Sequence, residues 1–467
     1  MATVILFLAV FLYQATWQLG GHANRQFVQF QRRYNKRPNA AELQVQRAPI
    51  LDRNGLILAA PVPGNIWGRR YPLGEAAVHP LGYFHPSSGL TAVERVADPV
   101  LSGYAHDNTL ERAKEIFSGR AEEGTAVTLT LDSRLQKQAY ALLAGRKGAV
   151  VILLPQTGDL LALVSAPGFN PNDPIDAMSD AENLPAFNRA VSGRYPPGST
   201  FKILTAGLAL TKGIRPRLPC PAQGYYVNAS TPAIRDSEYY AFARRGQEWP
   251  GWGTLDMKEA MAHSSNVYFA QLGTRCDVAD FNDLMVRARI NEPLTYFSMQ
   301  GSTLQTAKGN VPTVKKKAQL AHLAIGQGDL LVTPLHVAAL TAAIAADGIL
   351  MQPRLLKSAS PVQLCELFPS DVASEVREQM RAVVVSGTGH AANIPGLTLC
   401  GKTGTAQVNS AEDHAWFTCF APANKPAIVI TVLIENGGFG AAAALPVAKE
   451  LMLAADQLGY VRGGTSR

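Results

Sequence analysis

Hydrophobic residues along the chain cluster into short, almost continuous apolar runs, a pattern typical of β-strands that are buried on both faces. Two of these runs, 148–154 and 160–165, are separated by a tight polar turn and are predicted to pair. Two more, 416–421 and 427–434, repeat the pattern near the C-terminus, and an apolar stretch at 445–458 predicts a closing helix. Strands at both ends with helical patterns between them predict an α+β fold, in which one antiparallel sheet carries a helical insertion.

The segment before the first run predicts where this large domain begins. Residues 126–131 alternate enough for a strand, and Asp132 or Ser133 is well placed to cap the helix that follows. We therefore expect one C-terminal domain over residues 123–467.

A smaller domain is expected over residues 21–122, and it contains a hairpin signal of its own. Two strand-like runs flank Asn54-Gly55, the dipeptide that favours the tight turn of a two-residue β-hairpin. The residues from 21 to about 46 are polar and helix-permissive, and Pro38 ends their helical part. This stretch predicts a stalk that leads from the N-terminus to the hairpin.

The first residues of the chain are almost wholly apolar. Residues 2–13 contain no charged side chain, and with the residues up to Leu19 the run approaches the ~20 residues that a membrane-spanning helix needs. Tyr13 and Trp17 are residue types that favour the membrane interface. We expect a single-pass anchor over residues 1–20. A cleaved signal peptide is the alternative, although the run lacks a basic leading segment and a clear small-x-small cleavage site.

Composition narrows the class of protein. The chain has 467 residues, of which 47% are hydrophobic and 17% charged, so it can bury a large core and does not have the composition of a disordered chain. Its net charge of +7 is modest, and no stripe of Lys and Arg interleaved with aromatic residues is visible, which argues against nucleic-acid binding. The nine histidines and five cysteines show no metal-ligand spacing, so we expect neither a metal nor another cofactor.

Two pairs of cysteines differ in what they predict. Cys400 and Cys419 lie in predicted neighbouring strands and are expected to be small core residues. Cys220 and Cys276 could pair in an oxidising compartment, and the sequence leaves open whether they do.

The strongest candidate for chemistry is the stretch 195–206, which predicts a loop that turns sharply into a helix. Ser199 opens that helix and Lys202 lies three residues later, so their side chains share one face. A serine hydroxyl needs a neighbouring base to act as a nucleophile, and a lysine can be that base if burial lowers its pKa. Free N–H groups in the first helical turn could hold a developing oxyanion. Taken alone, a Ser-x-x-Lys match is more often a capping serine and a solvated lysine.

Two further motifs change that assessment. Ser264-Ser265-Asn266 is a Ser-x-Asn, and Lys402-Thr403-Gly404-Thr405 is a Lys-Thr-Gly followed by Thr. Ser-x-x-Lys, Ser-Asp-Asn and Lys-Thr-Gly form the motif set of class A β-lactamases and penicillin-binding proteins. With these motifs the chain resembles the penicillin-binding protein transpeptidases over roughly residues 123–460. The resemblance implies the penicillin-recognising α+β fold and peptidoglycan D,D-transpeptidase activity.

The resemblance also implies a role for each residue of the first two motifs. Ser199 is expected to attack the carbonyl of the penultimate D-alanine of a peptidoglycan stem peptide, with Lys202 as the base. Ser264 is expected to relay a proton to the leaving amine. Asn266 is expected to bind the substrate backbone and Lys202.

The third motif is expected to bind the substrate from an edge strand. By resemblance, an extended stem peptide adds to this strand, and its terminal carboxylate contacts hydroxyl groups and a positive charge. The residues implied in this binding are Lys402, Thr403, Gly404 and Thr405. The backbone N–H groups of Ser199 and Thr405 are expected to form the oxyanion hole.

The N-terminal domain points to one class within the resembled family. Residues 46–59 resemble the Arg-Gly-x-Ile-x-Asp-Arg-x-Gly segment of class B penicillin-binding proteins, with Ala48 in place of the usual Gly. Residues 72–103 resemble the same non-catalytic pedestal. Roughly 100 residues leave no room for a glycosyltransferase domain as well, so we expect a class B protein that carries only the transpeptidase.

Class B membership implies a location and partners. The chain is expected to be a single-pass protein of the bacterial cell membrane, with its catalytic domain on the extracytoplasmic side. The implied partners are peptidoglycan stem peptides, β-lactam antibiotics as covalent inhibitors, and a SEDS-type glycan polymerase in the membrane.

Two other readings stay open on the sequence. A serine β-lactamase shares the nucleophile and both flanking motifs, but residues 292–296 match its deacylating Glu-x-x-Leu-Asn poorly, and Ser265 stands where class A enzymes have Asp. The other reading is a catalytically idle penicillin-sensing or scaffold protein, against which the intact motifs argue. Slow release of a bound acyl group would favour the transpeptidase over the β-lactamase.

Overall fold

The computed structural model describes residues 6–10, 13, 47–103, 124–407 and 412–462. Residues 6–10 are helical. In these parts of the chain, no helix combines the length and the apolar character needed to cross a membrane. Three expected segments lie largely or wholly outside the described residues: the anchor (1–20), the stalk (21–46) and the end of the smaller domain (104–122).

The N-terminal domain is built around a small mixed sheet. Its strands are β1 (Ile50–Leu51), β2 (Ile57–Val62), β3 (Asn65–Arg70), β4 (Phe84–His85), β5 (Gly89–Leu90) and β6 (Val127–Thr128), and its helices are α1 (Val78–Leu81), α2 (Ala92–Val96) and α3 (Asp98–Leu101). The sheet has the order β3-β2-β1-β6, while β4 and β5 form a separate hairpin. The predicted hairpin is confirmed, since β1 and β2 pair antiparallel on either side of Asn54-Gly55.

The last strand of this sheet comes from the segment that joins the two domains. The strand expected over 126–131 is shorter than predicted, because only Val127–Thr128 pair, and they pair parallel to β1. The next residue, Leu129, bridges to Leu356 of the C-terminal domain. Hydrogen bonds from this short segment therefore reach both domains.

A buried ionic cluster holds the N-terminal domain together. The fully buried Glu94 carboxylate lies 3.0 Å from Arg47 Nη2 and 2.7 Å from Arg69 Nε. The Tyr71 hydroxyl donates to the same carboxylate at 3.2 Å. Burial raises the pKa of Glu94, but the two arginines outweigh it and lower the pKa overall. The cluster ties the residues before β1 to β3 and α2.

The C-terminal domain has the predicted α+β architecture. Its strands are β7 (Gly148–Leu153), β8 (Leu160–Ala166), β9 (Leu218–Pro221), β10 (Gly251–Leu255), β11 (Thr295–Met299), β12 (Ser302–Gln305), β13 (Ile349–Met351), β14 (Gln363–Glu366), β15 (Cys400–Ala406), β16 (His414–Ala421) and β17 (Ile428–Ile434). Its helices are α4 (Ser133–Leu143), α5 (Ile175–Ser179), α6 (Lys202–Thr211), α7 (Ser237–Ala243), α8 (Met257–His263), α9 (Asn266–Gly273), α10 (Val278–Arg287), α11 (Lys317–Leu323), α12 (Pro334–Ala345), α13 (Ser370–Ser386) and α14 (Gly440–Gln457).

The central sheet confirms the strand pairs that the apolar runs predicted. It has five antiparallel strands in the order β15-β16-β17-β7-β8. Helices α5 to α13 come between β8 and β15 in the chain and form the helical insertion. Because the chain returns to this sheet after the insertion, the two terminal hairpins lie side by side.

Alternate residues of the central sheet enter two apolar cores. Phe417 and Val432 belong to the core that α4 and α14 cover. Trp416 and Leu433 belong to the larger core beneath the inserted helices. A strand covered on both faces requires this alternation, which explains why the runs read as continuously apolar.

The closing helix begins earlier than predicted. The expected start was residue 445, but α14 begins at Gly440 and carries Pro446 inside it. Alanine is the strongest helix former, and the run 441–444 consists only of alanine, so the helix extends through it.

All five cysteines carry free thiols. Cys220 and Cys276, whose pairing the sequence left open, are each buried and unpaired. Cys400 and Cys419 are buried in β15 and β16, as predicted.

Candidate active site

Ser199 lies in a single 3₁₀ turn, Gly198–Phe201, that runs directly into α6. The predicted change from loop to helix is confirmed, with a first turn more tightly wound than an α-helix. Gly198 has a φ of +52°, and a Cβ at this position would lie 2.5 Å from the Thr405 carbonyl oxygen. Glycine therefore allows the turn that contains Ser199 to touch β15.

Two elements that are distant in sequence clamp this turn. The Gly198 N–H donates to the Gly326 carbonyl oxygen at 3.0 Å. Gly326 has a φ of +74°, and a Cβ there would lie 1.9 Å from the Gly198 carbonyl oxygen, so only glycine fits. On the other side, Trp416 Nε1 donates to the Pro196 carbonyl oxygen at 3.0 Å. The position of Ser199 thus depends on the loop around Gly326 and on β16.

The Lys202 amine is fully buried next to Ser199. Lys202 Nζ lies 3.0 Å from Ser199 Oγ, 2.5 Å from the Ser264 carbonyl oxygen and 2.7 Å from Asn266 Oδ1. The last two atoms are acceptors, so they use both N–H groups of a neutral amine and leave its lone pair for the Ser199 hydroxyl proton. A general base needs this geometry.

The surroundings of Lys202 also favour the neutral amine. Burial lowers the pKa of Lys202 to about 7, while the negative charges of Asp236 and Glu238 act in the opposite direction. A lysine at the ordinary value of 10.5 would be almost wholly protonated at neutral pH. A substantial fraction of Lys202 is therefore neutral at that pH.

Ser264 lies between the two lysines of the site. Lys402 Nζ donates to Ser264 Oγ at 2.7 Å, and Lys202 Nζ lies 3.4 Å from the same oxygen. Burial lowers the pKa of Lys402 well below its usual value, and the charge of Lys202 lowers it further. A hydroxyl accepts and donates at once, so Ser264 can pass a proton. Across the described residues, no group of three or more His, Cys, Asp or Glu could hold a metal ion.

The Lys-Thr-Gly segment lies on β15 at the end of the central sheet, which confirms the expected edge strand. An edge strand has free backbone groups along one side. A Cβ at Gly404 would lie 2.9 Å from Thr200 Cγ2 and 2.9 Å from Trp416 Cβ. The glycine therefore also allows β15 to pack against the turn that contains Ser199, a reason that the motif alone did not reveal.

Sequence reasoning missed two residues that contact the motifs. Thr388 Oγ1 lies 2.7 Å from Thr403 Oγ1, and Asp236 accepts hydrogen bonds from Ser265 and from the first N–H groups of α9. Asp236 precedes α7, so it looks like the cap of that helix, yet its side chain makes no cap bond there. No local sequence signal marks Thr388, because its side chain contacts Thr403 on a separate element, β15.

Two protein families match this chain. The penicillin-binding protein transpeptidase domain matches residues 148–453, and the penicillin-binding protein A dimerisation domain matches residues 47–127. The chain belongs to the penicillin-binding transpeptidase family. The class B assignment and the serine enzyme class, which the motifs predicted, are confirmed.

Individual penicillin-binding transpeptidases are similar over most of the chain. The peptidoglycan D,D-transpeptidase PbpA of Mycobacterium tuberculosis is 33% identical over 433 residues, which cover 83% of this chain and 84% of PbpA. The peptidoglycan D,D-transpeptidase MrdA of Haemophilus influenzae is 29% identical and covers 89% of this chain and 73% of MrdA. A ceftriaxone acyl-enzyme structure of penicillin-binding protein A from M. tuberculosis superposes with a TM-score of 0.78 at 30% identity, covering 89% of this chain and 99% of that one.

Proposed function

We propose that Ser199 is the nucleophile and Lys202 the general base of the peptidoglycan D,D-transpeptidase reaction, the activity of this family member. The observation that carries the proposal is the 3.0 Å contact between Ser199 Oγ and Lys202 Nζ, made while two other acceptors occupy the amine's N–H groups. A base within hydrogen-bond distance turns a serine hydroxyl into an effective nucleophile. The pKa of about 7 lets Lys202 accept the proton near neutral pH.

In the acylation step, Ser199 Oγ attacks the carbonyl carbon of the penultimate D-alanine of a stem peptide. A C–O bond forms as the hydroxyl proton moves to Lys202, and the N–H groups of Ser199 and Thr405 stabilise the oxyanion. The C–N bond then breaks, and the proton that Lys202 took from Ser199 passes through Ser264 to the departing D-alanine amine, which leaves Lys202 neutral. The contacts of Ser264 Oγ with both lysine amines support this relay.

In the second step, an amine of a neighbouring stem peptide attacks the acyl-enzyme ester. The incoming amine forms a C–N bond and gives its proton to neutral Lys202. The C–O bond to Ser199 breaks and the hydroxyl takes the proton back, which leaves a peptide cross-link. The covalent intermediate divides one difficult acyl transfer into two easier ones.

We expect the donor peptide to bind as an added strand along the free side of β15. The hydroxyl groups of Thr403 and Thr405 would contact the terminal carboxylate, with the Lys402 amine nearby and Gly404 allowing close approach. Asn266 Nδ2 uses one hydrogen on the Arg235 carbonyl oxygen at 3.0 Å, which leaves its second hydrogen for the substrate backbone.

We also expect β-lactam antibiotics to acylate Ser199. Penicillin-binding protein A of M. tuberculosis, 30% identical with a TM-score of 0.74, has been captured as a penicillin G acyl-enzyme complex. In a transpeptidase the acyl group is released slowly, whereas a serine β-lactamase hydrolyses it rapidly. The rate of release therefore separates the two enzyme classes.

Labelling with a fluorescent penicillin, read by intact mass, tests the proposal on wild type and Ser199→Ala. We expect one long-lived adduct in wild type and none in the variant. Rapid turnover of the drug would indicate a β-lactamase. A folded wild-type protein that forms no adduct would indicate an idle scaffold and overturn the assignment of Ser199.

We further propose that residues 1–20 anchor the protein in the bacterial cell membrane, with the domain at 123–467 on the extracytoplasmic side. The apolar run at 2–13 supports the anchor. A SEDS-type glycan polymerase is the proposed membrane partner, in contact with the anchor and the domain at 21–122. Deleting residues 1–120 should abolish co-purification with that polymerase, and unchanged association would remove the proposal.

A further inference from the structure

A buried carboxylate outside the three motifs lies directly behind the Ser-x-Asn segment. Asp236 is 1% exposed, and its Oδ1 accepts the N–H groups of Asn266 and Val267, the latter at 3.1 Å. Its Oδ2 accepts the Ser265 hydroxyl at 3.0 Å. Both oxygens of the carboxylate therefore bind the start of α9, although Asp236 comes thirty residues earlier in the chain.

We propose that Asp236 is a positioning residue of the transpeptidase reaction, which fixes the start of α9 and places a negative charge beside the Lys202 amine. This inference rests on the roles proposed above for Ser199 and Lys202. It assigns Asp236 two effects, one on geometry and one on charge, and the two are separable by experiment.

The first effect acts through Asn266. The Asn266 N–H donates to Asp236, and Asn266 Nδ2 donates to the Arg235 carbonyl oxygen at 3.0 Å. Arg235 and Asp236 thus hold Asn266 in place, so that its Oδ1 lies 2.7 Å from Lys202 Nζ. If the amide rotated, its Nδ2 would meet the amine donor to donor, and the lone pair of Lys202 would no longer be directed at Ser199.

The second effect is electrostatic. The titratable groups that face Lys202 are Asp236, Glu238 and Lys402, and Asp236 has the largest stabilising effect on the ammonium form. Burial raises the pKa of Asp236 above its usual value, and its hydrogen bonds and the charge of Lys202 offset only part of this rise. The other titratable neighbours of Asp236 are Glu238, whose pKa is raised by burial and by Asp236, and the Cys220 thiol. Burial raises the pKa of Cys220 to about 11, so the thiol stays neutral near pH 7.

Removing the charge of Asp236 should shift the pH dependence of the acylation rate in one direction, which a purely structural role would not do. Without the carboxylate, the ammonium form of Lys202 loses stabilisation, and the pKa of Lys202 falls further. The acid limb of the acylation rate should then move to lower pH. If the substitution only made Asn266 more mobile, the plateau of the pH profile would fall and its acid limb would stay at the same pH.

The test is the pH profile of the second-order rate constant for acylation by penicillin, from pH 5 to 9, for full-length wild type and Asp236→Asn. Asparagine keeps the shape and the Oδ1 acceptor but removes the charge. We expect the acid limb to move down by about one pH unit, the size that one nearby charge produces in a protein interior. The plateau should also fall, because a lysine with a lower pKa is a weaker base.

Two further variants separate the two effects. Asp236→Glu keeps the charge but changes the reach, so it should lower the plateau without moving the limb. Asp256→Asn is the matched control, because Asp256 caps the neighbouring α8 by accepting the Glu259 N–H at 2.8 Å, and it should change neither. If Asp236→Asn does not fold at 25 °C, Asp236→Ser takes its place as the neutral variant.

The outcomes are distinct. An acid limb that stays in place in the neutral variant would overturn the electrostatic effect, and an unchanged plateau in Asp236→Glu would overturn the positioning effect. A wild-type protein that penicillin does not acylate would instead overturn the proposed function, so the two failures cannot be confused.

Discussion

The hydroxyl oxygens of Thr388 and Thr403 lie 2.7 Å apart, which joins the loop after α13 to the strand that carries Lys-Thr-Gly. The Thr388 N–H donates to the Ala262 carbonyl oxygen, near the end of α8, at 3.0 Å. A Cβ at Gly387 would lie 2.2 Å from the same oxygen, so the loop packs tightly against α8. One loop therefore connects the helix before Ser264 with the strand that contains Thr403.

We expect Thr388→Val to slow acylation. When Thr388 donates to Thr403, the Thr403 proton is free for the substrate carboxylate, and valine removes that donor while keeping the volume. A neutral hydrogen bond contributes about 0.5–1.5 kcal/mol, so the second-order rate constant for penicillin acylation should fall about 2- to 13-fold. Thr398→Val, at an exposed threonine just before β15, should leave the rate unchanged. Equal rates for the two variants would contradict this role.

The glycines of the loop before α12 should differ sharply in tolerance. Gly326→Ala would place a Cβ 1.9 Å from the Gly198 carbonyl oxygen and push the turn that contains Ser199 away from Lys202. A displacement of about 1 Å costs roughly 10²-fold in rate, which is the loss of acylation we expect. Gly328 also has a positive φ, +81°, but no atom lies within 4 Å of its Cβ position, so Gly328→Ala is the matched control. If penicillin acylated Gly326→Ala as fast as this control, Gly326 would not be needed to hold the turn at 198–201 in place.

The N-terminal domain should lose stability when Glu94 is neutralised. Glu94→Gln leaves Arg69 buried without the counter-charge of Glu94, whereas Arg47 keeps its ion pair with Asp98. Breaking a buried pair costs about 3–5 kcal/mol. We expect a clear fall in the thermal unfolding midpoint. Glu75→Gln changes an exposed carboxylate of the same domain and should have little effect. Matching midpoints for both variants would mean that the cluster contributes little.

The buried lysine should make stability depend on pH. The pKa of Lys202 is about 7 in the folded protein and 10.5 for an ordinary lysine, so the unfolded chain binds more protons between these values. Wild-type stability therefore rises with pH in this window, and Lys202→Met lacks that contribution. The free energy of unfolding of wild type minus that of Lys202→Met should increase by about 2 kcal/mol between pH 7 and pH 9.

Urea unfolding at both pH values measures this gain. Lys449→Met removes a surface lysine and should follow wild type at both pH values. A constant difference between wild type and Lys202→Met would show that Lys202 keeps an ordinary pKa in the folded protein.

Local sequence patterns were sufficient for the family and for most of the architecture. Three short motifs in order predicted the proposed nucleophile Ser199, the two lysines that the structure places near it, and the edge strand. The apolar runs predicted four strands of the central sheet. These features are local, because a strand buried on both faces or a loop that turns into a helix is encoded within about ten neighbouring residues. The errors fell at element boundaries, where α14 begins five residues early and the strand at 126–131 contracts to two residues.

Tertiary structure alone decided what completes the site. Asp236 looks like the cap of its own helix but caps α9, and Thr388 reaches Thr403 from the end of another helix. Gly326 is needed because the backbone of Gly198 passes over it. Each contact joins segments that are separated in the chain, and the choice of partner depends on how the inserted helices pack onto the sheet. Periodicity shows which face of a segment is buried, but it carries no information about which other segment lies against that face.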